Sequence, residues 1–91
     1  MREKIRQLEY KRYDTVLTIT TKLEIRKRDK NIIVKCRGLK NIEGQCKARN
    51  KNATPRAIKD FENKVITFLD DCFACDDQIP NNEFFSWDYK K

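Results

Sequence analysis

Between residues 15 and 26 the side chains alternate in character. Leu17, Ile19, Thr21, Leu23 and Ile25 are interleaved with Thr18, Thr20, Lys22, Glu24 and Arg26. A period of two, in a stretch rich in β-branched residues, predicts an amphipathic strand with its apolar side turned to a core. Residues 26–31 (Arg-Lys-Arg-Asp-Lys-Asn) follow as a charged turn, and residues 32–37 (Ile-Ile-Val-Lys-Cys-Arg) read as a second strand. Gly38 and Gly44 bound a predicted loop over 38–45, and residues 45–50 read as a short third strand. A hairpin centred near Asn41 would set Cys36 opposite Cys46 and Val34 opposite Ala48.

The period changes farther along. Ile58, Phe61, Val65, Phe68, Leu69 and Cys72 recur at helical spacing, with Glu62 as one polar intruder. Thr54 is positioned to cap this segment and Pro55 to open it. The β-branched run Val65-Ile66-Thr67 and a turn at Glu62-Asn63 would instead suit a hairpin; the periodicity favours the helix. Residues 1–12 carry a thin stripe, Ile5 and Leu8, that predicts a short, loosely attached helix. Residues 78–91 form an aromatic tail in which Phe85, Trp87 and Tyr89 share a face if extended. The tail either completes a small core or anchors a partner protein. These elements predict one domain over 1–91 of the α+β class: an antiparallel sheet of three to four strands with one helix.

Charge adds a direction. Residues 1–53 hold sixteen Lys and Arg against six Asp and Glu, whereas residues 54–91 hold five against eight. Such asymmetry suits a polyanionic partner. The candidate phosphate contacts are Lys22, Arg26, Lys27, Arg28, Lys35, Arg37, Lys47 and Arg49, spread over one outer sheet face. Tyr10 and Tyr13, between further basic residues, can stack on bases or pack at the sheet edge. Residues 26–30 also resemble a short nuclear import signal. No apolar run approaches a membrane span and Met1–Asp14 is charged throughout, so an intracellular location is expected, nuclear in a eukaryotic setting.

In a reducing compartment, four cysteines suggest metal before disulfide. Cys36, Cys46, Cys72 and Cys75 can supply four thiolates to tetrahedral zinc, the last two at the chelating Cys-x2-Cys spacing. Lys35, Arg37 and Lys47 flank the first pair in sequence and would favour thiolates. The alternative is four unligated or buried thiols. Asp70-Asp71 and Asp76-Asp77 lack the spacing of a calcium loop and read as a solvated acidic patch.

Val34-Lys35-Cys36, followed after a loop by Gln45-Cys46-Lys47-Ala48-Arg49, resembles the FLYWCH-type zinc domain, which belongs with the WRKY and glial-cells-missing DNA-binding domains. Val34 stands where that family favours an aromatic residue, and Cys72/Cys75 stand where it has His-x-His. The resemblance implies a zinc-stapled four-stranded sheet, strand over residues 64–70, and DNA binding through a sheet edge in the major groove. With no histidine, no phosphate loop and no nucleophile elbow, the chain does not read as an enzyme. The expected function is nucleic-acid binding, DNA before RNA. The alternative is a protein-interaction module or small inhibitor whose basic face docks on an acidic protein.

Overall fold

A computed structural model describes residues 2–90; positions 1 and 91 of the predicted domain lie outside the described residues. The strands are β1 (Arg2–Arg12), β2 (Thr15–Arg28), β3 (Asn31–Cys36), β4 (Leu39–Lys47) and β5 (Phe85–Tyr89), with one helix, α1 (Ala53–Ala74), between β4 and β5. The sheet is antiparallel in the order β1-β2-β3-β4, and β5 also pairs with β2. β2 is long enough to take two partners end to end on one side. Residues 17–21 pair with β5 and residues 23–28 with β3, while β1 runs along its other side.

α1 covers one face of this sheet. Leu17, Ile19, Leu23 and Ile25 of β2 meet Ala57, Ile58, Phe61, Val65 and Leu69 of α1 in one core, as the two periodicities predict. Glu62, the polar residue in the helical stripe, is explained by Arg6 of β1, which lies 3.7 Å away. Phe85 is fully buried, so the aromatic tail is part of the core and of the sheet.

Four expectations are corrected. Residues 2–12 are strand, not helix. Their helix-facing positions are Arg6, Leu8, Tyr10 and Arg12; the polar ends of Arg6, Tyr10 and Arg12 meet Glu62 and Asp70, so the period-two pattern is hidden behind charge. Residues 64–70 are helical rather than the strand that the family resemblance implies. The predicted loop over 38–45 is mostly strand, and the hairpin turns tightly at Arg37-Gly38. Val34 therefore pairs with Gly44, Cys46 with Ile32, and Cys36 with Leu39 across a register shift. Thr54 does not cap α1. Asn52 does, in the left-handed region and without a side-chain bond, and Pro55 sits inside the first turn, where an N–H has no helical partner.

Gly44 explains the loop error. A Cβ there would stand 2.3 Å from the Ala57 carbonyl oxygen and 2.6 Å from Phe61. The glycine is a strand residue that lets helix and sheet approach closely, not a breaker. The far edge of β4 is closed in the same place. The Gln45 amide donates to Asp60 Oδ2 at 2.9 Å, Lys64 Nζ donates to the Glu43 carbonyl at 2.8 Å, and Asp60 and Lys64 pair at 3.1 Å. An i,i+4 ion pair on the helix thus takes the place of a further strand.

Two outcomes follow. Gly44→Ala should lower unfolding free energy by about 3 kcal/mol in denaturant titration, because the clash is with backbone. The Gln45 amide and Lys64 hold the Asp60 carboxyl below the ordinary value of 3.8. Its contribution is therefore present above that value and lost as pH falls through the lower folded value. Asp60→Asn should destabilise the protein at neutral pH, and the gap from the parent should close on acidification below about pH 4.

Candidate nucleic-acid interface

The cations fall into two groups once the register is known. On the sheet face away from α1, Lys22, Arg26, Arg28, Lys35 and Arg37 project beside Glu24 and Glu43. Glu24 takes Arg26 at 3.4 Å and also Arg37; Glu43 takes Arg28 at 2.8 Å and Lys35 at 3.4 Å. Lys22 lies 3.9 Å from Glu83. Partial burial acts to raise the Glu43 carboxyl, but Arg28 and Lys35 outweigh it and hold it below its usual range. Ile33 points to this face and is fully buried. The register seats it between Arg26 and Gln45, so the stems of the long side chains roof it. The face predicted to be continuously basic is therefore a largely self-neutralised network over an apolar residue.

The second group is differently placed. Beyond the paired part of the sheet, the Ala48 amide donates to the Lys30 carbonyl at 2.8 Å and the Asn50 amide to the Lys47 carbonyl at 3.0 Å. These bonds draw residues 47–50 against the β2–β3 turn. Lys27, Lys30, Asn31, Lys47, Ala48 and Arg49 then line an open cleft of about 510 Å³. Among the described residues, no carboxylate lines it. Among the described residues, none of these four cations makes an ion pair. Lys27, Lys47 and Arg49 were candidates from sequence. Lys30, a basic residue of the predicted charged turn, lies beside them in a position that strand alternation could not fix.

This cleft lies at one end of a molecule 40 Å long and about half as wide. α1 runs alongside β1: Arg2 reaches Thr54 near the helix N-terminus and Arg12 reaches Asp70 near its C-terminus. Asp70, Asp71, Asp76 and Asp77 consequently gather at the end opposite the cleft. Tyr13 is also at that far end, 93% exposed, with Arg12 over its ring. Tyr10 is buried and stacks on Phe73, with its hydroxyl donating to Asp70. Neither tyrosine is near the cleft.

The four cysteines are not brought together. Cys46 pairs four positions along β3 from Cys36, an offset of about 13 Å. Gly44, two residues before Cys46, abuts Ala57, and Cys72 is fifteen helical residues farther on, about 22 Å away. A single tetrahedral ion with bonds near ~2.3 Å cannot span that arrangement. Among the described residues, no group of three or more Cys, Asp or Glu side chains is placed to hold a metal. Burial pushes the Cys36 thiol up, and burial with Asp77 and Asp71 does the same at Cys72. Lys35 does not counter this at Cys36, because neighbours along a strand point to opposite faces. Cys36 instead donates weakly to the Phe84 carbonyl, Cys46 accepts from Asn50 at 3.6 Å, and Cys75 is exposed beyond the helix.

No protein-family model matches this chain, and comparison with curated proteins and with solved structures gave no match either. The FLYWCH-type resemblance covers residues 13–77 loosely and is specific only over 34–49. Among the described residues, no helix is long and apolar enough to cross a membrane.

Purified protein should carry substoichiometric zinc by elemental analysis. Cys75 should react first with a thiol reagent, and Cys36 and Cys72 only after unfolding. One zinc per chain protecting all four thiols would contradict the placement of the cysteines.

Proposed function

We propose that this protein binds the phosphate backbone of double-stranded DNA through the cleft at the β2–β3 turn. One observation carries the reading: Lys27, Lys30, Lys47 and Arg49 converge there without a carboxylate to neutralise them. Cations that already hold carboxylates gain little by exchanging them for phosphate, whereas unpaired ones release condensed counterions from DNA and gain the full effect. The lining holds no aromatic residue, and the exposed tyrosines, Tyr13 and Tyr89, are at the far end of the molecule. Single-strand binding draws on stacking platforms, so the lining favours a duplex. Backbone contact without base contact positions a protein on DNA and specifies little sequence. The run resembling a nuclear import signal shares Lys27 and Lys30 with the cleft, so import and DNA binding would draw on the same residues.

The acidic end gives the bound molecule an orientation. Asp70, Asp71, Asp76 and Asp77 sit at the helix C-terminus, where the macrodipole adds to their charge. Repulsion from phosphate would keep that end off the duplex and steer the cleft end toward it.

Fluorescence anisotropy with a labelled mixed-sequence duplex tests the reading. Affinity should fall steeply with salt. Lys47→Gln with Arg49→Gln should weaken binding and flatten the slope of log K against log salt by about 1.8, two phosphate contacts' worth. Arg28→Gln with Lys35→Gln, on the neutralised face, should leave the slope nearly unchanged. Equal slopes for the two double variants would overturn the assignment. Capture of an acidic polypeptide in place of any duplex would shift it to the protein-docking alternative. Removal of residues 83–91 is not a usable control, since it takes Phe85 out of the core.

A further inference from the structure

Among the described residues the sheet has three free edges, and two carry hydrogen-bonded caps from outside the sheet. Asp60 and Lys64 cap the Gln45 amide and the Glu43 carbonyl of β4. On β5, the Phe85 carbonyl accepts from the Asn82 amide at 2.8 Å, the Phe85 amide donates to Asn82 Oδ1 at 3.0 Å, and the Trp87 carbonyl accepts from Asn81 at 3.3 Å. β1 differs. Lys22 donates to the Phe84 carbonyl and Lys90 to the Val16 carbonyl, so even-numbered residues of β2 bond toward β5. Odd-numbered residues of β2 bond toward β1, where their register partners are even-numbered. The backbone groups of Glu3, Ile5, Gln7, Glu9 and Lys11 therefore point outward. None of the hydrogen bonds among the described residues reaches them. The strand has no proline and no bulge over its 11 residues, and Ile5 on it is 65% exposed.

We infer that β1 pairs antiparallel with β1 of a second copy, about a two-fold axis through Gln7. In that register all eleven residues overlap. Glu3 of each copy faces Lys11 of the other, and Gln7 faces itself. Sliding the pair by two residues one way opposes Glu3 to Glu9; sliding it the other way opposes Lys4 to Arg12. Like charges directly opposite are unfavourable, and only the centred register sets opposite charges, Glu3 and Lys11, against each other at outward-bonding positions. Its like-charge contact, Arg2 with Arg12, occurs twice by the two-fold, and each Arg12 lies 3.7 Å from Asp70 of its own copy. The dimer would form one continuous sheet, with the two basic clefts at its opposite ends.

Sedimentation equilibrium of the full chain, from micromolar to millimolar concentration, tests this. The parent should show a monomer–dimer equilibrium. Lys11→Glu should raise the dissociation constant about tenfold at low salt by setting two carboxylates against two others. Glu3→Lys combined with Lys11→Glu should restore it. Gln7→Pro should abolish the dimer. The Gln7 amide points away from β2, so the monomer's circular dichroism should be retained. If Gln7→Pro unfolds, the charge-swap pair decides alone. A parent that stays monomeric at millimolar concentration, or a Lys11→Glu variant with an unchanged dissociation constant, would overturn the inference.

Discussion

Everything in this fold hangs on β2 being satisfied along both of its sides. Fourteen consecutive residues present backbone donors and acceptors to the left and to the right. No other strand matches that length, so the second side is shared: β3 takes one half and β5 the other. A chain segment from beyond α1 must return to fill the gap that β3 leaves. That requirement sets the direction of the helix, which has to carry the chain back along the sheet. It also buries Phe85 against strands laid down much earlier in the sequence. The separation of charge follows from the same geometry. The helix carries its C-terminal aspartates to one end, and the β2–β3 turn projects its lysines and arginines from the other.

Much of this was legible in the chain. The alternation in β2 and the helical stripe from Ile58 to Cys72 are strong because each has an apolar side facing one neighbour only. β1 was illegible for a physical reason. Its helix-facing positions carry arginine and tyrosine, whose stems pack while their ends find Glu62 and Asp70, and a binary apolar pattern does not register such residues. Gly44 misled in the opposite direction. A glycine among polar residues looks like a turn, and only the position of Phe61 and the Ala57 carbonyl shows why a side chain is missing there.

The candidate site was legible in composition but not in arrangement. The excess of cations in the first half was plain, yet which of them are unpaired depends on Glu24 and Glu43 being cross-strand neighbours, a matter of register. The cysteines make the same point more sharply. Their spacing is compatible with a metal site in a hairpin centred on Asn41. A tight turn at Arg37-Gly38 slides Cys46 four positions away from Cys36, so the two no longer face each other. Sequence spacing predicts ligand geometry only when the turn between the ligands is known.

The Asp60–Lys64 pair has a consequence for stoichiometry. A sheet with two open edges adds strands at both and grows without limit, which is the route to fibres. Here the edge of β4 is stoppered by a helix that cannot leave without exposing Phe61, and the β5 edge is held by Asn81 and Asn82. Among the described residues, β1 is the edge strand whose outward backbone groups carry no such cap. Two copies exhaust each other's capacity, and such an assembly is closed at two rather than open-ended.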